Sequence, residues 1–154
     1  MVFGEINRMY EKVKDRIKLH EGFVPKIYKD TLGFATIGYG HKVVDEDNFV
    51  EEKEYTKEEL EETFLKDFDK AVNGAERLFN VNGCVDLHEE AKGIIIEMVF
   101  QLGPTGVSNF KMMWKCLSEL NYVGASYEMI DSKWYKQTTN RAKELSNHMK
   151  NIGV

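Results

Sequence analysis

Residues 25–41 constrain this chain most. On either side, apolar residues recur at helical spacing. Inside the stretch, aromatic and β-branched residues are punctuated by Gly33, Gly38 and Gly40. Residues 27–29 and 34–39 read as two strands, with Asp30, Thr31, Leu32 and Gly33 as the turn joining them. One short antiparallel sheet set among helical patterns is the signature of an α+β fold.

The flanking pattern supplies the helices. Ile6, Met9, Tyr10, Val13 and Ile17 share a helical stripe over about 5–20, ended near Gly22 and Pro25. Thr56 followed by Glu59 forms a capping box, in which hydroxyl and carboxylate satisfy each other's orphan backbone donors. The helix it opens runs to about residue 79, with Leu60, Phe64, Phe68 and Ala71 inward. Residues 91–102 are apolar nearly all round and predict a central buried helix, stopped by Gly103 and Pro104. A further helix carries Phe110, Met113, Trp114 and Leu117. A shorter one spans about 123–131, and a last one starts near Asn140 with Ala142, Leu145 and Met149 inward. Residues 42–55 read as an acidic loop with a short third strand near Tyr55.

Length and charge narrow the function classes. The 154 residues suit one domain. Residues 45–69 hold 12 acidic and 3 basic residues between two mildly basic segments, and the whole chain carries a formal charge of −5. Nucleic-acid binding wants a concentrated basic face, so no nucleic-acid partner is expected. No run approaches the ~20 apolar residues of a membrane span. The charged first residues predict no Sec-type signal. Cys84 and Cys116 read as reduced thiols, with no CxxC pair.

Metal and cofactor motifs fail on inspection. His20-Glu21 would open a zincin motif, but Val24 stands where the second His belongs. Asp45, Glu46 and Asp47 hint at a calcium loop, yet Thr56 occupies the position of the bidentate Glu. No metal and no cofactor is expected. What remains is Glu21 at the end of the first helix, Asp30 in the hairpin turn and Thr36 on the returning strand. Two carboxylates flanking a cleft suit glycoside hydrolysis, where one donates a proton and the other directs water or attacks the sugar.

The string LHEGFVPKIYKDTLGFATIGYGH, residues 19–41, resembles the catalytic segment of the T-even phage lysozymes, glycoside hydrolase family 24. That family places Glu, then Asp nine residues on, then Thr six further, followed by Ile-Gly-x-Gly-His. The similarity resumes at residues 55–57, at Phe64 and Asp67, and in the blocks 98–110 and 132–143. The resemblance implies a lysozyme-like α+β fold. Its small hairpin lobe would cover about 22–56, its long joining helix about 56–79, and its larger helical lobe 1–21 plus 80–154.

It further implies a muramidase cleaving the β-1,4 bond between N-acetylmuramic acid and N-acetylglucosamine in bacterial peptidoglycan, by a single-displacement inverting mechanism. Glu21 corresponds to the general acid, Asp30 to the residue directing water and Thr36 to its partner. Arg141 corresponds to the arginine paired with the catalytic Glu, and His41 with Asp67 to a pair bridging hairpin and joining helix. Phe100 and Gln101 fall at cleft-side positions. The implied biology is a monomeric phage endolysin made in the host cytoplasm, without membrane insertion, acting on the periplasmic or cell-wall polymer. A tail-associated or antibacterial-toxin lysozyme is the nearer alternative, and a non-catalytic wall-binding protein the more distant one. The chain departs from the family pattern between His41 and Asp67, which is shorter here, at Lys42, Met113 and Glu128, and in its negative charge.

Overall fold

The computed structural model describes residues 3–153. Its elements are α1 (Phe3–Glu21), β1 (Val24–Lys29), β2 (Ala35–Gly38), β3 (His41–Lys42), α2 (Lys57–Val81), α3 (Glu89–Ser108), α4 (Lys111–Ser118), α5 (Tyr122–Ile130), α6 (Lys133–Gln137) and α7 (Thr139–Lys150). Among the described residues, seven α-helices and one small antiparallel sheet make the α+β class that the alternating textures predict. The chain divides into two compact units: Lys14–Asp69, here the hairpin unit, and Met1–Val13 with Lys70–Val154, here the helical unit. The division falls within α1 and within α2.

In the hairpin unit the strands lie in the order β1-β2-β3, each antiparallel to its neighbour. Tyr28 pairs with Thr36 and Thr36 with Lys42, while Ile37 pairs with His41. The expected third strand near Tyr55 forms instead at His41–Lys42, because Gly38 and Gly40, both at positive φ, turn the chain straight back. Tyr55 keeps one sheet-like bond, donating its N–H to the Pro25 carbonyl at 2.7 Å. Between them the acidic loop contains a 3-10 turn at Asp45–Asp47. Thr56 caps α2 as expected: its Oγ1 accepts from Glu59 N, and Glu59 Oε1 accepts from Thr56 N, both at 3.1 Å. Ile17, Ile37, Leu60, Phe64 and Phe68 form this unit's buried apolar cluster.

The helical unit holds the larger core. Ile94, Ile95, Met98, Val107, Met113, Leu117, Met129, Leu145 and Met149 are all buried. The expected stop at Gly103 is a kink, since the backbone there leaves helical values (φ 78, ψ 162) and resumes at Pro104 for one more turn and a half. Pro at the first position of the resumed segment loses no helical hydrogen bond. Around α7 pack α3, α5 and α6. The five-residue α6 was not separable from its neighbours by periodicity; Ser132 opens it by accepting from Tyr135 N at 3.1 Å. Among the described residues, no helix is long and apolar enough to cross a membrane.

Candidate active site

Glu21 is the last residue of α1. Gly22 closes the helix, its N–H bonding Lys18 O at 3.0 Å, and the chain enters β1 two residues later. Gly40, between β2 and β3, stands against the Glu21 carboxyl. A Cβ built on Gly40 would come within 2.6 Å of Glu21 Oε1, and its φ of +77° disfavours any side chain. This glycine therefore gives the carboxyl its place beside the hairpin.

The turn fixes Asp30 through its own backbone. Asp30 Oδ1 accepts the N–H groups of Leu32 and Phe34, each at 2.9 Å. Among the described residues, Oδ2 takes no protein hydrogen bond. Asp30 N in turn donates to Phe34 O at 2.9 Å. Thr36, only 4% exposed, donates its hydroxyl to the same Phe34 carbonyl at 2.9 Å. Asp30 and Thr36 are thus held together by residue 34, and each keeps acceptor capacity: Oδ2 on Asp30 and the remaining lone pairs of the Thr36 hydroxyl.

Tyr28 was not singled out from the sequence. It lies opposite Thr36 in the β1–β2 register. Burial pushes its phenol above the usual tyrosine range, and the negative charges of Glu21 and then Asp30 push it further. A single phenol thus feels both carboxylates. The signal was available in the register: position 28 faces position 36 once 30–33 is taken as the turn.

His41 and Asp67 meet as the resemblance implies, Nδ1 to Oδ2 at 2.7 Å. A second carboxylate, missed in the sequence, completes the group: Asp47 Oδ2 lies 2.8 Å from His41 Nε2. The Asp67 hydrogen bond raises the imidazole pKa, burial opposes this, and Asp47 adds to the rise. Asp47 also accepts from Val44 N at 2.8 Å, tying the acidic loop to β3.

The other three candidate residues lie in the helical unit. Arg141 Nε donates to Glu97 Oε2 at 2.9 Å, and Glu97 is 0% exposed. Glu97 interrupts an apolar run in the sequence, and its partner lies 44 residues away, so no local pattern announces the pair. Gln101 Oε1 accepts from Trp134 Nε1 at 2.9 Å, and Gln101 Nε2 donates to Thr138 Oγ1 at 3.4 Å. Phe100 is half-buried next to it. The same unit carries a cavity of about 590 Å³ whose lining includes Phe110, Met113, Glu128 and Trp134. Among the described residues, no cluster of three or more His, Cys, Asp or Glu could hold a metal ion.

Comparison with known proteins converges on one family. Residues 18–151 match the model of the phage lysozyme family. Probable T4-type lysozyme 1 of Dictyostelium discoideum is 34% identical, over 89% of this chain and 92% of that protein. Probable T4-type lysozyme 2 of the same organism is 31% identical over the same shares. The pre-baseplate central spike protein Gp5 of Enterobacteria phage T4 is 26% identical over 86% of this chain, which spans 26% of that protein. This chain belongs to the phage lysozyme family, a family of T4-type lysozymes.

Proposed function

We propose that this protein is a muramidase that cleaves the β-1,4 bond between N-acetylmuramic acid and N-acetylglucosamine with inversion at the anomeric carbon. The observation that carries the reading is the joint anchoring of Asp30 and Thr36 on residue 34, beside a phenol that also feels Glu21. Glu21 is the general acid, delivering its proton to the glycosidic oxygen as the bond breaks. The Thr36 hydroxyl already donates to Phe34 O, so toward a water it acts as acceptor. A water donating one proton to Thr36 Oγ1 and one to Asp30 Oδ2 turns a lone pair toward the anomeric carbon. Asp30 takes its proton as the new C–O bond forms. Phe100, Gln101 and Arg141 serve as supporting residues of the helical unit, and His41 with Asp67 supports the hairpin.

Reducing ends released from purified cell walls test the chemistry. Glu21→Gln keeps shape but cannot donate the proton, so turnover falls about 10²- to 10⁴-fold while wall binding survives. Asp30→Asn and Thr36→Val each lose water placement, and the double variant loses less than the product of the two because both act on one water. Nuclear magnetic resonance of the fresh reducing end reads the α anomer first. A β-configured first product overturns inversion, and an active Glu21→Gln enzyme overturns the assigned acid.

The biological setting we propose is a phage endolysin, acting as a monomer, made in the host cytoplasm and released to the wall. A holin gene beside this one is the expected genomic context. A position among tail genes would assign the tail-associated route instead.

A further inference from the structure

Lys42 lies opposite Thr36 across the β2–β3 pair, as Tyr28 does across β1–β2. Directly opposed residues of an antiparallel ladder project from one face, so Tyr28, Thr36 and Lys42 form a row across the sheet. The Lys42 ammonium stands 4.6 Å from the centroid of the Phe34 ring, which is 51% exposed. Residue 34 is also the one whose backbone N–H and carbonyl anchor Asp30 and Thr36. The cation is therefore seated beside the proposed water site by an aromatic face.

The chain holds 26 acidic and 21 basic residues, and the first acid of the loop, Asp45, follows three positions after Lys42. In the same unit Lys18 bonds Glu61 at 2.7 Å and Lys26 meets Glu52 at 3.5 Å, while Lys53 and Lys57, like Lys42, rest on aromatic rings; of these three, Lys42 is the one opposite Thr36. Among the described residues Lys42 makes no ion pair, and its neighbour is an uncharged ring. A ring quadrupole orients an ammonium without neutralising it. All of its charge stays available to an incoming anion.

We propose that Lys42, seated on Phe34, is a specificity-determining residue that binds a carboxylate of the stem peptide carried by the glycan, favouring peptide-bearing anionic strands over neutral ones. The proposal rests on the muramidase reading and names which part of that substrate this face recognises. Three donors on a flexible stem suit a carboxylate whose position varies along a polymer.

The test crosses enzyme with substrate. Purified sacculi, acid-stripped of phosphate-bearing polymers, are used with their carboxyls either free or converted to neutral amides. Reducing-end release is measured for the parent, Lys42→Met and Lys42→Arg. On free-carboxyl walls Lys42→Met lowers kcat/KM about five-fold, through KM, as expected for a solvent-accessible charge pair, and Lys42→Arg restores most of it. On amidated walls the parent drops to the variant's level and the difference between them closes. Equal losses on both walls, or no loss on either, overturn the proposal while leaving the muramidase reading intact. Release of no reducing ends by the parent from either wall overturns the muramidase reading and this inference with it.

Discussion

The hairpin unit and the helical unit keep their shapes by different means. The helical unit buries a broad apolar core and admits one charged pair, Glu97 with Arg141, deep among the packed helices. The hairpin unit has a smaller apolar cluster and binds itself with polar clasps. Lys18 holds both oxygens of Glu61 while resting 5.3 and 4.9 Å from the Tyr39 and Phe64 ring centroids, and His41 joins Asp47 to Asp67. A three-stranded sheet this short cannot hide many side chains, so its geometry is fixed by hydrogen bonds of known direction. Those same directed bonds anchor both Asp30 and Thr36 on the backbone of residue 34. The unit with the smaller apolar cluster is the one that carries the proposed acid and water-directing residues.

If that contrast is right, the two units fail differently. The largest stability effect belongs to the helical unit. Glu97 is fully buried and Arg141 is 10% exposed, and removing one partner of so buried a pair leaves the other charge without that compensation, at about 3–5 kcal/mol. Glu97→Ala should therefore lower unfolding stability by that order in denaturant titrations, and Glu97→Gln by less, because an amide oxygen still accepts from Arg141 Nε. A loss under about 1 kcal/mol for Glu97→Ala would show that the pair behaves like a surface contact and would erase the contrast.

The next effect separates stability from activity inside the hairpin unit. Gly40→Ala forces an L side chain into left-handed backbone, about 1–2 kcal/mol, and drives its Cβ toward Glu21 Oε1. Kinetics on purified walls should fall far more than the melting temperature suggests, because the group displaced is the proposed acid. Equal, small changes in both would mean that the carboxyl simply swings aside and that Gly40 does not set its place.

Much of this was legible in the sequence for physical reasons. The capping box at Thr56 and Glu59, the apolar stripe of α2 and the 30–33 turn depend on residues within a few positions of one another, so local pattern carries them. The Glu21, Asp30 and Thr36 spacing was legible through resemblance, because residue types this common are not singled out by spacing alone. What escaped was non-local or geometric. The third strand formed at 41–42 because two glycines turn the chain, not because residues near 55 have strand character. Tyr28 comes opposite Thr36 only through register. Glu97 looked like a blemish in an apolar helix until a partner from α7 reached it, and Asp47 looked like one acid among twelve until the acidic loop folded back on His41.

The smallest effect sharpens the account of that polar clasp. Both nitrogens of His41 face carboxylates, and its side chain is 14% exposed. A neutral imidazole has one N–H, so it can satisfy one of these carboxylates but must turn a lone pair on the other. Only the imidazolium donates to both. The folded pKa is raised above its ordinary value of about 6.5. The charge-dependent stabilisation is therefore fully present below about pH 6.5 and is lost as pH rises through the raised folded value. Stability should therefore fall over that interval. His41→Asn should be less stable than the parent at mildly acidic pH, with the gap narrowing as pH rises. Asp47→Asn supplies an amide that can rotate to donate to the lone pair of neutral His41, so it should flatten the parent's pH profile without abolishing the Asp67 bond. Chemical denaturation of the three proteins from pH 5 to 9 reads this directly. A gap between His41→Asn and the parent that stays constant across the range would mean the clasp works as a neutral hydrogen-bonded group, and the hairpin unit would then owe its shape to hydrogen-bond direction rather than to charge.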